Sequence, residues 1–199
     1  MAPEIITLER IEPRPWKNGA GRTRELAVHP RDAGMDDFEW RMSLAEVAAD
    51  APFSAFPDVD RCIVLLRGAG MHLRSEDGRL DQRLGEPLEP FHFSGDAALH
   101  ATLIDGPSSD FNVMTRRGRW RADVTPLSDT HDASACAAAL LLCRSGEATI
   151  SMPGDAPRNL QSGQAALWRH DAPALHIAPS FAATLLLVQL RPLCQDAMP

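Results

Sequence analysis

Pro15-Trp16-Lys17-Asn18-Gly19-Ala20-Gly21 places a ring, a cation, an amide and two glycines within seven residues. Lys17 is the only lysine in a chain that otherwise carries its positive charge on arginine. Proline stiffens the approach, and glycine lets the backbone take positive φ or come close to a ligand. Asn-Gly is also a standard turn pair, so the stretch reads either as a surface turn or as the rim of a binding site. Farther along, Arg41 and Ser43 share one face of an alternating segment, and Asn112, Met114 and Arg116 share one face of another. Guanidinium forks pair bidentately with carboxylates, and an asparagine amide both donates and accepts. Gathered in one place, Lys17, Arg41 and Arg61 would supply charge for a small carboxylate. Asn18 and Asn112 would orient its polar groups, Ser43 and Ser54 would add hydroxyl contacts, and Trp16 and Phe56 would wall it. Met114 and Arg116 complete the candidate set, and Asp110 is placed to hold one of the arginines. Arg61 also follows Asp60, and a purely structural ion pair is the competing role.

The elements that must carry these residues are strands. Phe38 to Leu44 alternates strictly, which predicts a half-buried strand with Phe38, Trp40, Met42 and Leu44 on one face and Glu39, Arg41 and Ser43 on the other. Ile5–Leu8, Thr23–Val28, Arg61–Leu66, Met71–Arg74, Leu99–Ile104 and Phe111–Thr115 are further β-type runs. Ser75 to Gly78 is a hairpin signal, and His29 to Asp37 and Ala51 to Asp60 read as loops. Arg117 and Arg119 read as a solvated basic turn. Ala133 to Leu142 could pass for a helix because of its alanines, but the stretch from about Ala138 to Arg144 is taken as a strand because of a repeat. Leu65–Gly70 echoes Leu141–Gly146 at a spacing of about 76 residues, and four later landmarks keep the order. Among them, Ala98-Leu99-His100 matches Ala174-Leu175-His176, and Phe111-Asn112-Val113 falls opposite Leu187-Val188-Gln189. Two copies of one β-unit are expected, residues 1–119 and 120–199, each a jelly-roll β-barrel, with the ligand site in the first.

Cupin-type jelly rolls commonly hold a metal through Gly-x5-His-x-His-x3,4-Glu and a later histidine. Here the comparable place reads His72-Leu73-Arg74-Ser75-Glu76, with arginine where the second histidine belongs. His92, His100, His170 and His176 have no ligand spacing, so no metal and no other cofactor are expected. There is no Gly-x-Ser-x-Gly elbow. Glu25 and Glu39 would serve as an acid/base pair only if they met in space.

Composition narrows the classes. The chain has 199 residues, 44% apolar and 24% charged, with a net charge of -7, as in ordinary globular proteins. No basic block is present, so nucleic acid is not an expected partner. The longest apolar runs are too short for a bilayer and the N-terminus lacks a signal-type segment, so no membrane partner and a cytoplasmic location are expected. Cys62, Cys136, Cys143 and Cys194 form no CxxC pair and read as reduced thiols. Association is left open, a homodimer included.

Taken together, Pro15–Gly21 with Thr23 and Glu25, Trp40–Ala45, Pro52–Pro57 with Asp60-Arg61, Phe93–Asp96, and Asp110–Met114 with Arg116 resemble the signature of the HutD/Ves family. The blocks are ordered and cover about the first 120 residues. Ala20 stands where the family pattern usually has a third glycine. The resemblance implies an all-β bicupin fold without an established enzymatic activity or a metal centre. It implies a protein that tunes histidine utilisation by binding a small pathway metabolite such as urocanate or a formylated amino acid. The alternative is a cupin-type hydrolase or isomerase acting on such a metabolite, with Glu25 or Lys17 in acid/base work.

Overall fold

The computed structural model describes residues 2–193, and Cys194 lies outside them. Among the described residues strand accounts for 58% and helix for 2%, so the class is all-β. The strands run β1 (Glu4–Thr7), β2 (Arg14–Pro15), β3 (Gly21–His29), β4 (Trp40–Val47), β5 (Ala51–Phe53), β6 (Val59–Arg67), β7 (Met71–Ser75), β8 (Asp81–Leu84), β9 (Pro90–Ser94) and β10 (Leu99–Leu103). They continue as β11 (Ser108–Arg116), β12 (Trp120–Leu127), β13 (His131–Ala133), β14 (Ala138–Ser145), β15 (Glu147–Ser151), β16 (Arg158–Gln161), β17 (Gln164–Trp168), β18 (Leu175–Pro179) and β19 (Thr184–Pro192). No helix among the described residues is long and apolar enough to cross a membrane.

The chain divides into two compact units, Ile11–Trp120 on one side, and Met1–Arg10 with Arg121–Pro199 on the other. In the first, a six-stranded sheet runs β2-β3-β4-β11-β6-β9 and a four-stranded sheet runs β5-β10-β7-β8. In the second, the orders are β1-β17-β14-β19-β12 and β13-β18-β15-β16. Raising each number of β4-β11-β6-β9 and of β5-β10-β7-β8 by eight reproduces the second pair of orders. The repeat is therefore one of topology as well as of sequence. The division at 119/120 drawn from the repeat leaves out one feature. Residues 4–7 pair with Gln164–Leu167, so β1 belongs to the unit that also holds β19.

The register of the repeat differs in detail from the sequence alignment. A bulge between Ser109 and Asp110 skips Leu66 on β6, and a bulge between Cys143 and Ser145 skips Arg144 on β14. These matching irregularities set Asp110 opposite Leu65 just as Leu185 stands opposite Cys143. Asn112 therefore corresponds to Leu187, which a uniform spacing of 76 gives to Phe111. A one-residue slip changes the face of every side chain, so this correction decides what the second unit holds inside. Its interior is apolar throughout: Ala139, Leu141, Cys143, Leu185 and Leu187 pack with Trp168, Ile150, Leu160 and Ile177.

In the first unit the apolar filling is partial. Val47, Ile63, Met71, Leu73, Leu99 and Ala101 pack with Phe53, Phe91 and Phe93. Val28, Phe38, Val59 and Met114 form a smaller cluster with Phe56. The alternation of β4 predicts one wet face, yet Trp40 to Ala45 are all buried. The apolar face carries Trp40 and Met42, while Arg41 and Ser43 turn toward an internal cavity instead of bulk solvent. Trp40 stacks on His29 at 5.3 Å, and Trp120 meets both rings edge-on. Tight turns connect the sheets. Gly70 has φ +91°, and a Cβ there would lie 1.7 Å from the Leu84 carbonyl oxygen, so no other residue fits.

Candidate functional site

The Pro15–Gly21 stretch is a turn, and the turn builds a wall. The Trp16 carbonyl accepts from the Gly19 amide at 3.0 Å, with Gly19 at φ +73°. Asn18 Oδ1 accepts from the Ala20 amide at 3.1 Å, an Asx-type closure. Ala20 is buried, and its carbonyl takes the amides of Ala48 and Ala49. Trp16 donates from Nε1 to Thr23 Oγ1 at 2.8 Å, which fixes the indole. Gly21 makes room for that ring: a Cβ would lie 3.0 Å from it and 2.4 Å from the Glu46 carbonyl oxygen.

The indole borders a cavity of about 600 Å³ inside the Ile11–Trp120 unit. Trp16, Lys17, Asn18, Arg41, Ser43, Ser54, Phe56, Arg61, Asn112 and Met114 all line it. Arg116, the remaining candidate, does not. It stands at the end of β11 and donates to the carbonyls of Pro57, Asp36 and Phe38, with its guanidinium 5.3 Å from the Phe38 ring. Arg116 thus ties down two loops, one carrying Phe56 and one carrying the cavity residue Met35. The following arginines lie on an exposed turn, as expected, and are ion-paired there. Arg117 pairs with Asp60 and Asp96 and donates to Ser94, and Arg119 pairs with Glu39. The Arg117 and Ser94 hydrogen bonds hold the Asp96 carboxyl down at about 2. Because Asp60 is committed to Arg117, Arg61 turns inward alone.

The two inward arginines differ. Arg41 donates from Nε to Glu25 Oε2 at 2.8 Å and from Nη1 to Ser43 Oγ at 3.4 Å, so its charge is already paired. Arg61 is 5% exposed, and among the described residues no carboxylate lies within ion-pair distance of it. It donates to the Ser54 carbonyl at 3.2 Å and to Asn112 Oδ1 at 3.0 Å, and its Nε has no partner. The rings of Phe53, Phe56 and Phe93 surround its guanidinium at 5.0, 5.4 and 5.0 Å. Burial lowers Arg61 to about 10, so it stays protonated at neutral pH. Cation–π contacts contribute roughly 0.5–2 kcal/mol each, which offsets part of the desolvation cost of several kcal/mol for such a charge. The remainder is an unsatisfied positive site facing an open space.

Arg14, Thr23, Phe53 and Met35 also line the cavity and are absent from the sequence-derived set, and so does Glu25, which the sequence offered only for acid/base work. Thr23 and Phe53 sit inside quoted signature blocks, where their neighbours Trp16 and Ser54 gave the signal. Glu25 is the partner of Arg41 and stands apart from Glu39, whose partner is Arg119, so the two carboxylates are separately engaged. Of the histidines considered as ligands, His72 pairs with Asp81 and His176 with Asp132.

The HutD family model matches residues 8–186 of this chain. The chain belongs to the HutD family. A Ves protein from Escherichia fergusonii is 38% identical over 122 residues, 61% of this chain and 62% of that protein, so the match spans less than two-thirds of the relative. Two solved structures are similar over nearly their full lengths. A conserved protein of unknown function from Pseudomonas aeruginosa PAO1 superposes with a TM-score of 0.82 and 32% identity, covering 94% of this chain and 98% of that one. HutD from Pseudomonas fluorescens SBW25 (formate condition) gives 0.81 and 28%, covering 96% and 99%. A cupin 2 conserved barrel domain protein from Leptotrichia buccalis gives 0.59 at 11% identity over 96% and 98%, a likeness of fold alone. This member of the HutD family is thus all-β with cupin-like structural neighbours.

Proposed function

We propose that the cavity of the Ile11–Trp120 unit binds a small carboxylate metabolite, of the urocanate or formylated amino acid kind, and that the protein tunes histidine utilisation through that binding. One observation carries the reading: Arg61 is a buried cation with a free Nε donor, no direct counter-ion and a cavity in front of it. A carboxylate in the cavity would neutralise that charge. Lys17 at the exposed rim adds a second cation, and the Trp16 and Phe56 rings suit a flat or short aliphatic body. A volume of about 600 Å³ falls in the range of small-molecule sites. The P. fluorescens structure is of a formate condition, and formate is the smallest member of this ligand class. The strand orders also support reading the two units as jelly-roll cupin barrels, a bicupin in which one barrel is hollow and polar and the other filled.

Isothermal titration of the whole chain with urocanate and N-formylglutamate tests the reading. A charge-assisted hydrogen bond contributes about 1.5–3 kcal/mol, so Arg61→Ala is expected to weaken binding about tenfold or more. Lys17→Ala, at an exposed position, weakens it less and serves as the comparison should Arg61→Ala unfold. Equal affinity of the wild type and both variants removes these residues from the site.

A further inference from the structure

The cavity holds a second buried ionisable group that does not touch its open space. Asp110 lies on β11, two residues before Asn112, and is 1% exposed. Its Oδ1 accepts from Asn112 Nδ2, and its Oδ2 has no partner. Asn112 in turn accepts from Arg61 Nη2. Asn112 and Arg61 line the cavity, whereas Asp110 does not. A hydrogen-bonded chain therefore runs from a concealed carboxyl, through an amide, to the guanidinium that faces the open space.

We propose that Asp110 is a proton acceptor coupled to ligand binding: when the cavity takes up a carboxylate anion at Arg61, Asp110 takes up a proton, so that the ligand enters as an anion and a proton together. This rests on the reading of the cavity as a carboxylate site. The charge balance requires it. On the strands flanking Asp110 the inward charged groups are Arg61 on β6, Arg41 on β4 and Glu25 on β3. Arg41 and Glu25 cancel. Glu46, one residue from Ala45 that pairs with Asp110, turns to the other face with Arg22 and Arg24. The opposite sheet and β9 contribute Met71, Leu73, Leu99, Ala101, Phe91 and Phe93, all apolar. Arg14 and Lys17 also line the cavity, from β2 and the turn after it, but Arg61 is the cation whose charge acts on Asp110, and the same guanidinium would serve the ligand. Two carboxylates cannot both rely on one buried cation without a cost that protonation of one of them removes.

The ligand keeps its charge because it meets the guanidinium directly. Asp110 gives its charge up because it reaches Arg61 only through an amide. Burial already pushes Asp110 up to about 7, against the pull of Arg61 and the Asn112 hydrogen bond. The proton comes from solvent and goes to Oδ2, the oxygen that no group uses. Oδ1 goes on accepting from Asn112 in either state, so the chain that orients Arg61 survives the change. Linkage then fixes the sign. A group that binds a proton more tightly in the complex makes affinity fall as pH rises above its free value, by at most tenfold per pH unit, and leaves affinity flat below it.

The test is titration calorimetry of the whole chain with N-formylglutamate in buffers of different ionisation enthalpy, at pH 6, 7 and 8. The expected uptake is small at pH 6, about half a proton at pH 7 and close to one at pH 8. Asp110→Asn, which preserves shape and an acceptor for Asn112, is expected to bind without proton uptake and with a flatter pH profile. Should that variant fail to fold, infrared difference spectra of the wild type serve instead, with gain of a protonated-carboxyl band on binding as the expected result. Binding with no proton uptake at pH 7 and 8, or equal uptake by Asp110→Asn, overturns the inference and leaves the carboxylate site standing. Absence of binding, or binding indifferent to Arg61→Ala, overturns the site itself and the inference with it.

Discussion

Arg41 and Arg61 are the buried arginines of one cavity in this HutD-family protein, and their different partners give them different chemistry. Arg41 is held by Glu25 and Ser43, and to an incoming anion that group offers almost no net charge. Arg61 has rings, a carbonyl and an amide around it but no carboxylate, so its charge projects into the open space. Glu25 therefore acts against anion binding. Removing its charge while keeping its shape, Glu25→Gln, is expected to tighten carboxylate binding about three- to tenfold, measured by calorimetry on the whole chain. A loss of binding would instead mean that Glu25 contacts the ligand, as the enzymatic alternative supposes. The residue types of this site were legible in the sequence: arginine, asparagine and serine at alternate positions of strands. Their partners were not. Nothing along the chain says that Asp60 turns to Arg117, leaving Arg61 alone, or that Glu25 rather than Asp110 neutralises Arg41. Arg116 shares its strand face with Asn112 and Met114, yet it lies where β11 ends, and there the carbonyls of two loops capture it. Alternation gives a direction, whereas contact depends on what the neighbouring loops bring.

At the scale of elements, strands were read well where the alternation or the apolar run was long, as in β4, β6 and β11. The helix-like alanines of β14 yield to sheet pairing on both sides, because a segment buried between two strands needs its backbone groups satisfied by those neighbours. The wet face expected for β4 is buried because an internal cavity demands polar side chains just as a surface does. The turns are specified by single residues. Gly70 combines a left-handed backbone with a carbonyl oxygen where its Cβ would be. Gly70→Ala is expected to destabilise the protein by about 2–4 kcal/mol, from backbone strain and forced displacement of the turn. Denaturant unfolding checks this, and a change below about 1 kcal/mol would show that the turn yields easily.

At the scale of the whole chain, one topology is used twice with different contents. The polar positions of the first unit, Arg61, Asn112 and Asp110, correspond through the matching bulges to Ala139, Leu187 and Leu185 in the second. There the interior is closed by aliphatic packing. The repeat was visible in the sequence, but a uniform spacing misses the slip that assigns faces, so the contrast between a hollow unit and a filled one emerged only from strand register. The exchange of the first strand into the later unit likewise left no mark in local sequence, since four β-prone residues do not name their partner.

The contents of the two units predict one ligand per chain, bound only in the first. The most direct measurement is a crystal structure of the protein with N-formylglutamate. The expected result is a single ligand molecule per chain with a carboxylate on the Arg61 guanidinium and its body between the Trp16 and Phe56 rings. A ligand bound elsewhere on the chain, or a cavity in which Arg61 meets only water at saturating ligand, would contradict the account.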